Sequence, residues 1–281
     1  MTTNQVEAVS RGDTGTTSQM QVRLKGVTKV FPAAAAVGKP VHALGPVDLD
    51  IAKGEFFSVV GPSGCGKSTL LDIIAGLNTQ TEGEVYVNNI PVRGNVPDGV
   101  GVVFQEDACF PWLTVHDNIA FGLRRQGVEA AEAKRRIDDA LALMTLRDFA
   151  DAYPAQLSGG MRQRVCIART LVLKPSLILL DEPFGALDQQ TRLLMGDEVL
   201  KLWRATNATI LLITHSLDEA ALLSDRVGVM SARPGVFLDT VKTDWPRDRD
   251  SKLASEEKFG KITAHLWTLL RDQSKQSLST H

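Results

Sequence analysis

The run Gly61-Pro62-Ser63-Gly64-Cys65-Gly66-Lys67-Ser68, followed by Thr69, has the spacing G-x-x-x-x-G-K-[ST]. Glycines at such spacing let the backbone curl until consecutive N–H groups converge on one anion. They do so at a helix start, where the dipole also favours negative charge. Lys67 would then reach the β- and γ-phosphates of a nucleotide, and the Ser68 hydroxyl would ligate Mg²⁺. The competing reading is a glycine-rich connection whose lysine is merely solvated. The context that phosphate binding needs is present: the apolar run EFFSVVG before the loop and the helix-periodic STLLDIIAGL after it. Cys65 reads as a small filler rather than a nucleophile.

A second group, Asp181-Glu182-Pro183, closes the apolar run from Leu177 to Leu180. Ligands of open α/β sheets bind at such strand ends. Where a phosphate loop lies upstream, an Asp here holds Mg²⁺ and the following Glu is placed to polarise the attacking water. The alternative is that one acid caps the next helix. A third group, Leu157-Ser158-Gly159-Gly160-Met161, opens the helix-periodic GGMRQRVCIARTLVL. By itself this is an ordinary serine N-cap. The same hydroxyl and free N–H groups also make an anion site. Two phosphate-seeking helix starts are too many for one nucleotide, so the second is expected to serve a nucleotide held by another copy.

These groups need elements to place them. The chain has 281 residues, 43% apolar and 23% charged, enough for a sizeable core and unlike a wholly disordered sequence. Its 31 basic and 33 acidic residues give a formal charge of -2. That lacks the basic surplus of nucleic-acid binders, so no nucleic acid partner is expected. No stretch approaches the ~20 apolar residues that cross a bilayer, and the N-terminus lacks an apolar signal core. Cys65, Cys109 and Cys166 form no CxxC pair, which argues against a disulfide framework or structural zinc and for a cytosolic chain. Residues 1–20, rich in Thr, Ser, Gln and Gly, are expected to be disordered. VRLKGVTKVF and VHALGPVDLDI alternate as half-buried strands, and EVYVNN and GVVF read as further strands. Between about 107 and 174 the pattern is mostly helical. Then follow a helix over Gln189 to Thr206, the strand ATILLIT, the helix SLDEAALLS, the strand RVGVMS, a short strand around VFLDTV and a weakly helical tail. Strands and helices in this alternation predict an α/β core with a mostly parallel sheet and a helical insertion.

In order along the chain, these motifs resemble the nucleotide-binding subunits of ABC transporters, whose signature LSGGQ is here LSGGM. The resemblance covers about residues 22–245. It implies a phosphate-loop NTPase core, an antiparallel β subdomain and a helical subdomain at about 107–174, within an ATPase domain over 21–245 followed by a helical tail over 246–281. Phe31 matches the aromatic residue that stacks on adenine, and Gln105, after GVVF, the glutamine that senses Mg²⁺ and links to the transmembrane partner. Ala186-Leu187-Asp188 matches the D-loop, and His215 the switch histidine. Taken singly, a Gln or His at a strand end also reads as structural, and Phe31 as core.

The resemblance further implies two copies sandwiching ATP head to tail. Lys67, Ser68, Gln105 and Asp181 would hold phosphates and Mg²⁺, with Glu182 as base and His215 against the γ-phosphate. Ser158 and Gly160 would act from the other copy, the phosphate loop, Gly159 and Asp188 completing the contacts. The partners implied are separate integral membrane permease subunits and an external solute-binding protein. The implied place is peripheral, at the cytoplasmic face of the inner membrane. FPWLTVHDNIAFGL and THSLDEAALLSDRVGVMSARPG look most like the nitrate/sulfonate/taurine importer group, and the roughly 45 residues after MSARPG are too few for the regulatory barrel of sugar importers. Residues 108–115 are either subdomain packing or a groove for a short permease helix. The rival readings are the ATPase of a lipoprotein-release or cell-division complex, a non-transport ABC ATPase of repair or translation, and a P-loop kinase.

Overall fold

Alternating apolar residues build a long hairpin, β1 (Met20–Phe31) and β2 (Val41–Ala52), in a computed structural model that describes residues 19–33, 38–105 and 108–279. β4 (Glu82–Val87) pairs antiparallel with β1. Asn88 and Asn89, with φ of 53° and 61°, turn it into β5 (Ile90–Pro91), the left-handed conformation that two-residue hairpins require. The order in this antiparallel sheet is β2-β1-β4-β5.

A second sheet has the order β10-β9-β3-β8-β7-β6. Its strands are β3 (Phe56–Val60), β6 (Val100–Val103), β7 (Leu177–Asp181), β8 (Thr209–Ile213), β9 (Arg226–Met230) and β10 (Phe237–Lys242). All pair in parallel except the edge strand β10. β3, β7 and β8 are buried at every residue, which is why they read as unbroken apolar runs. Helix α1 (Lys67–Ile74) packs Leu70, Leu71, Ile73 and Ile74 into a core that holds residues of both sheets, such as Val22, Leu49, Phe57 and Leu211.

The helical insertion comprises α2 (Val115–Arg125), α3 (Ala130–Leu143) and α4 (Gly159–Leu171). Side-chain caps start each one: Thr114 accepts from the Asp117 N–H, Glu129 from Ala131 and Glu132, and Ser158 from Met161. α5 (Gln189–Thr206) and α6 (Leu217–Leu223) cover the sheet, capped by Asp188 and Ser216. These elements follow the alternation expected from sequence.

β1 starts inside the segment expected to be disordered, and the segment expected as a helical tail forms a helix. Of the segment expected to be disordered, residues 1–18 lie outside the described residues, whereas Met20 already belongs to β1. At the other end, α7 (Glu257–Ser279) buries Ile262, Leu266 and Leu270 in the same core cluster as the insertion and α5. Ahead of it the Arg249 side chain, 0% exposed, pairs with Asp225 at 2.7 Å and donates from Nη2 to the Leu223 carbonyl at 2.6 Å. The final segment is thus packed against the rest of the chain.

Candidate functional site

Five neighbouring strands end on one side of the parallel sheet, and each delivers a polar group there. The phosphate loop follows β3, Gln105 follows β6, Asp181 and Glu182 close β7, His215 follows β8, and Arg233 follows β9. This is where ligands of α/β sheets sit, because helix starts and unpaired strand-end groups collect there.

The loop owes its shape to glycine. Gly66 has φ of 107°, and a Cβ on it would lie 2.7 Å from the Ala43 carbonyl oxygen, so only glycine fits where α1 begins. No side chain caps α1, and its first turn carries no acid, so its N–H groups are left for an anion. Lys67, largely buried, donates from Nζ to the carbonyls of Gly61 and Pro62 at 2.9 and 3.0 Å, which folds the cation back over its own loop. Ser63, Gly64, Gly66, Lys67, Ser68 and Thr69 line a cleft of about 420 Å³ together with Phe31, Gln105 and Glu182. Phe31, from the end of β1, is half-buried and carries the Lys29 ammonium 4.8 Å from its ring centroid, so it is a cleft wall rather than core. Cys65 points away into the core at 1% exposure, where burial pushes its thiol up against the opposing pull of Lys67.

Asp181 is 7% exposed, and its Oδ1 has no hydrogen-bond partner. Burial holds its carboxyl above the ordinary range, only partly opposed by the Ser68 hydroxyl that bonds to it. An orphaned carboxylate oxygen beside a hydroxyl suits a hard cation, which takes one or two protein oxygens and completes its shell with water and phosphate. Among the described residues no cluster of three or more His, Cys, Asp or Glu is placed to hold a metal.

Glu182 adopts φ of 45°, unusual for a residue with a side chain, while its N–H donates to the Ile213 carbonyl of β8 at 2.9 Å. That backbone turn swings the carboxylate into the cleft. Its Oε2 accepts from Gln105 Nε2 at 3.2 Å and lies 3.2 Å from His215 Nδ1. Three residues from three strand ends, 77 and 33 positions apart from Glu182, thus meet on one oxygen.

Ser158, Gly159 and Gly160 do not line this cleft; they open α4, with Ser158 exposed. A Cβ on Gly160 would lie 2.8 Å from Leu187 Cδ2, so the 186–188 loop packs against the start of α4. Asp188 is also outside the cleft. Its carboxylate caps α5 by accepting from Gln190 and Thr191, which holds it below the usual range. The capping role considered for the Asp181-Glu182 pair therefore belongs to Asp188.

Next to Gln105, the sequence 108–115 forms an aromatic shelf. Trp112 is 71% exposed and stacks on Phe110 at 5.6 Å, and Phe110 in turn meets Phe121 at 4.7 Å. The fully buried Asn118 fixes this turn, accepting from the Phe110 N–H at 2.8 Å and directing its own amide at the Phe110, Leu113 and Thr114 carbonyls. Subdomain packing is thus the wrong account of Trp112. The sequence reading also missed Arg233, a cleft residue whose ARPG context looks like an ordinary turn, and Asn118, whose spacing carries no motif.

A phosphate loop, a strand-end acid pair and a helical insertion with its own glycine-rich helix start define a nucleotide-hydrolysing cassette. The sequence family described as ABC transporter matches residues 44–185, and the chain belongs to that family. It is an ATP-binding ATPase of the kind that drives transport. The chain is 41% identical over 268 residues to the nitrate import ATP-binding protein NrtD of Synechocystis, covering 92% of this chain and 97% of that protein. It is 48% identical over 198 residues to the taurine import ATP-binding protein TauB of Jannaschia, covering 70% and 74%. Its fold matches the dimeric post-hydrolysis structure of the ATP-binding cassette MJ0796 bound to ADP and Pi, with TM-score 0.71, 34% identity, and 80% and 100% coverage.

Proposed function

We propose that this protein is the ATP-hydrolysing subunit of an importer for a small anionic or organic solute of the nitrate, sulfonate or taurine type. It would work at the cytoplasmic face of the inner membrane, against separate permease subunits and with an external solute-binding protein. The observation that carries the reading is the meeting of Gln105, Glu182 and His215 on one carboxylate oxygen beside the phosphate loop. The nitrate and taurine import relatives supply the solute class.

In this reading the phosphate loop N–H groups and Lys67 bind the phosphates, and Phe31 takes the adenine face. Ser68, Asp181 and Gln105 would hold Mg²⁺, which when bound neutralises charge developing on the phosphate oxygens. Glu182 Oε2 orients water and accepts its proton as the water oxygen bonds to the γ-phosphorus. The bond to the β–γ bridging oxygen breaks, leaving ADP and phosphate. His215 and Gln105, both on Oε2, set the direction of that carboxylate. Ser158 is exposed, and with Gly159 and Gly160 it would meet the phosphates held by a second copy, and the neighbouring Asp188 loop would follow them across. Catalysis by positioning and charge makes completion of the site by a partner decisive. The exposed Phe110–Trp112 shelf would seat the permease.

The test is Glu182→Gln in the whole transporter. ATP should bind with parent affinity while turnover falls at least about a hundredfold, and uptake of labelled nitrate, sulfonate or taurine should stop with it. Normal turnover would remove Glu182 from its role; uptake of all three solutes that ignores the variant would remove the importer assignment.

A further inference from the structure

Arg233 belongs to none of the motifs above, yet it stands in the cleft. We infer that it is a nucleotide-contacting residue: its guanidinium binds an oxygen of the phosphate chain while pinning the phosphate loop through the Gly64 carbonyl. This rests on the ATP reading of the same cleft. Of the described residues lining that cleft, Lys67 and Arg233 are the cations. Lys67 Nζ is turned back onto the carbonyls of Gly61 and Pro62. Arg233 Nε and Nη2 both donate to the Gly64 oxygen, at 3.0 and 2.9 Å. A guanidinium has five N–H donors, so the Nη1 edge and the second Nη2 proton remain for a ligand. Among the described residues, no carboxylate lies within ion-pair distance of Arg233, so its charge is not spent on the protein itself.

The arginine is also presented on a fixed support. Ser231 N–H donates to the Val236 carbonyl at 2.9 Å, and Val236 N–H returns to Ser231 Oγ at 3.0 Å. Gly235 N–H reaches the Ala43 carbonyl at 3.0 Å, and Gly45 N–H reaches the Gly235 carbonyl at 3.1 Å. A Cβ on Gly235 would stand 2.1 Å from the Cys65 carbonyl, so this loop lies directly on the phosphate loop. Ala232 N–H is held from the far side by Gln273 Oε1 at 3.0 Å. A fork-shaped cation on so fixed a backbone loses little freedom on gripping an anion, and phosphate oxygens match its geometry. Bracing the Gly64 carbonyl alone would use neither the charge nor the remaining donors.

The experiment titrates ATP and ADP, in EDTA, onto the parent, Arg233→Gln, Arg233→Lys and Lys67→Ala, at several salt concentrations. Arg233→Gln should bind both nucleotides about tenfold more weakly. It should also show a shallower dependence of log Kd on log salt, because one ionic contact is gone, and a raised KM. Arg233→Lys, which keeps charge but not the fork, should fall between the two and recover the salt slope. Unchanged Kd in Arg233→Gln would overturn the inference. So would weakened binding with the parent salt slope, which would leave Arg233 as a loop brace; if the glutamine variant does not fold, the lysine variant carries the test, and parent Kd there would also overturn the inference. If Lys67→Ala binds like the parent, the cleft reading itself fails. If only Lys67→Ala loses binding, Arg233 alone is misassigned.

Discussion

Asp181 shows how a single side chain can be held against its own preference. Burial favours its protonated form, so the folded chain keeps that proton at pH values where the unfolded chain has already released it. Its contribution to stability is therefore lost as pH climbs from the ordinary carboxylate range through the raised value. Asp181→Asn should stabilise the protein above that window by ~1–2 kcal/mol in urea unfolding without nucleotide, and should make stability fall less steeply as pH rises above the ordinary carboxylate range. A residual slope is expected from Glu219, which burial also raises. A parent-like profile in the variant would show that the buried carboxylate costs nothing. Glu182 is strained in another way: its left-handed φ costs of order 1–3 kcal/mol and persists because the Ile213 carbonyl fixes its N–H. That Lys67, Ser68, Asp181 and Glu182 would lie close together was legible, since they occur in patterns whose chemistry dictates the spacing. The meeting of Gln105 and His215 on one oxygen was not, because it depends on strands far apart in sequence lying side by side.

At the scale of elements, strand and helix positions followed from apolar periodicity, and the continuous apolar runs marked strands covered on both faces. The two-residue β5 was too short to leave a period, and its Asn-Asn turn is the only local mark it bears. The weak period after residue 250 understated α7, which among the described residues buries Ile262, Leu266 and Leu270 and packs the partly buried Phe259 and Leu269 against the same cluster. The turn before α2 was ambiguous by composition: a string of aromatic and apolar residues reads equally as interior or as interface. Structure separates the two, since Asn118 ties the turn's backbone to the interior while Trp112 stays outside. Trp112→Ala should therefore leave the melting temperature unchanged, as exposed substitutions shift stability by no more than about 0.5 kcal/mol. It should cost most of the co-purification with the permease, because exposed aromatics carry interfaces. Full retention of the permease would remove the shelf from the partner surface.

For the whole molecule, the decisive feature is that Ser158 and the cleft do not share one space within a chain. A chain carrying Lys67→Ala and one carrying Ser158→Glu should each be inactive alone. Mixed, they should recover about a quarter of parent activity: half the random dimers are hybrids, and each hybrid retains one whole site of two. Absence of recovery, with the hybrids shown to form, would place the serine's work within its own chain. The expectation of a second copy came from counting phosphate-seeking helix starts, whereas the nearness of the aromatic shelf to the cleft needed coordinates. Gln105 touches Glu182, and Phe110 begins the shelf five positions later. Fully stretched, five residues reach at most ~18 Å. Under the proposed function, whatever grips the shelf would thus sit on a short leash to the Glu182 carboxylate, and a tug there would have to travel no further than that length.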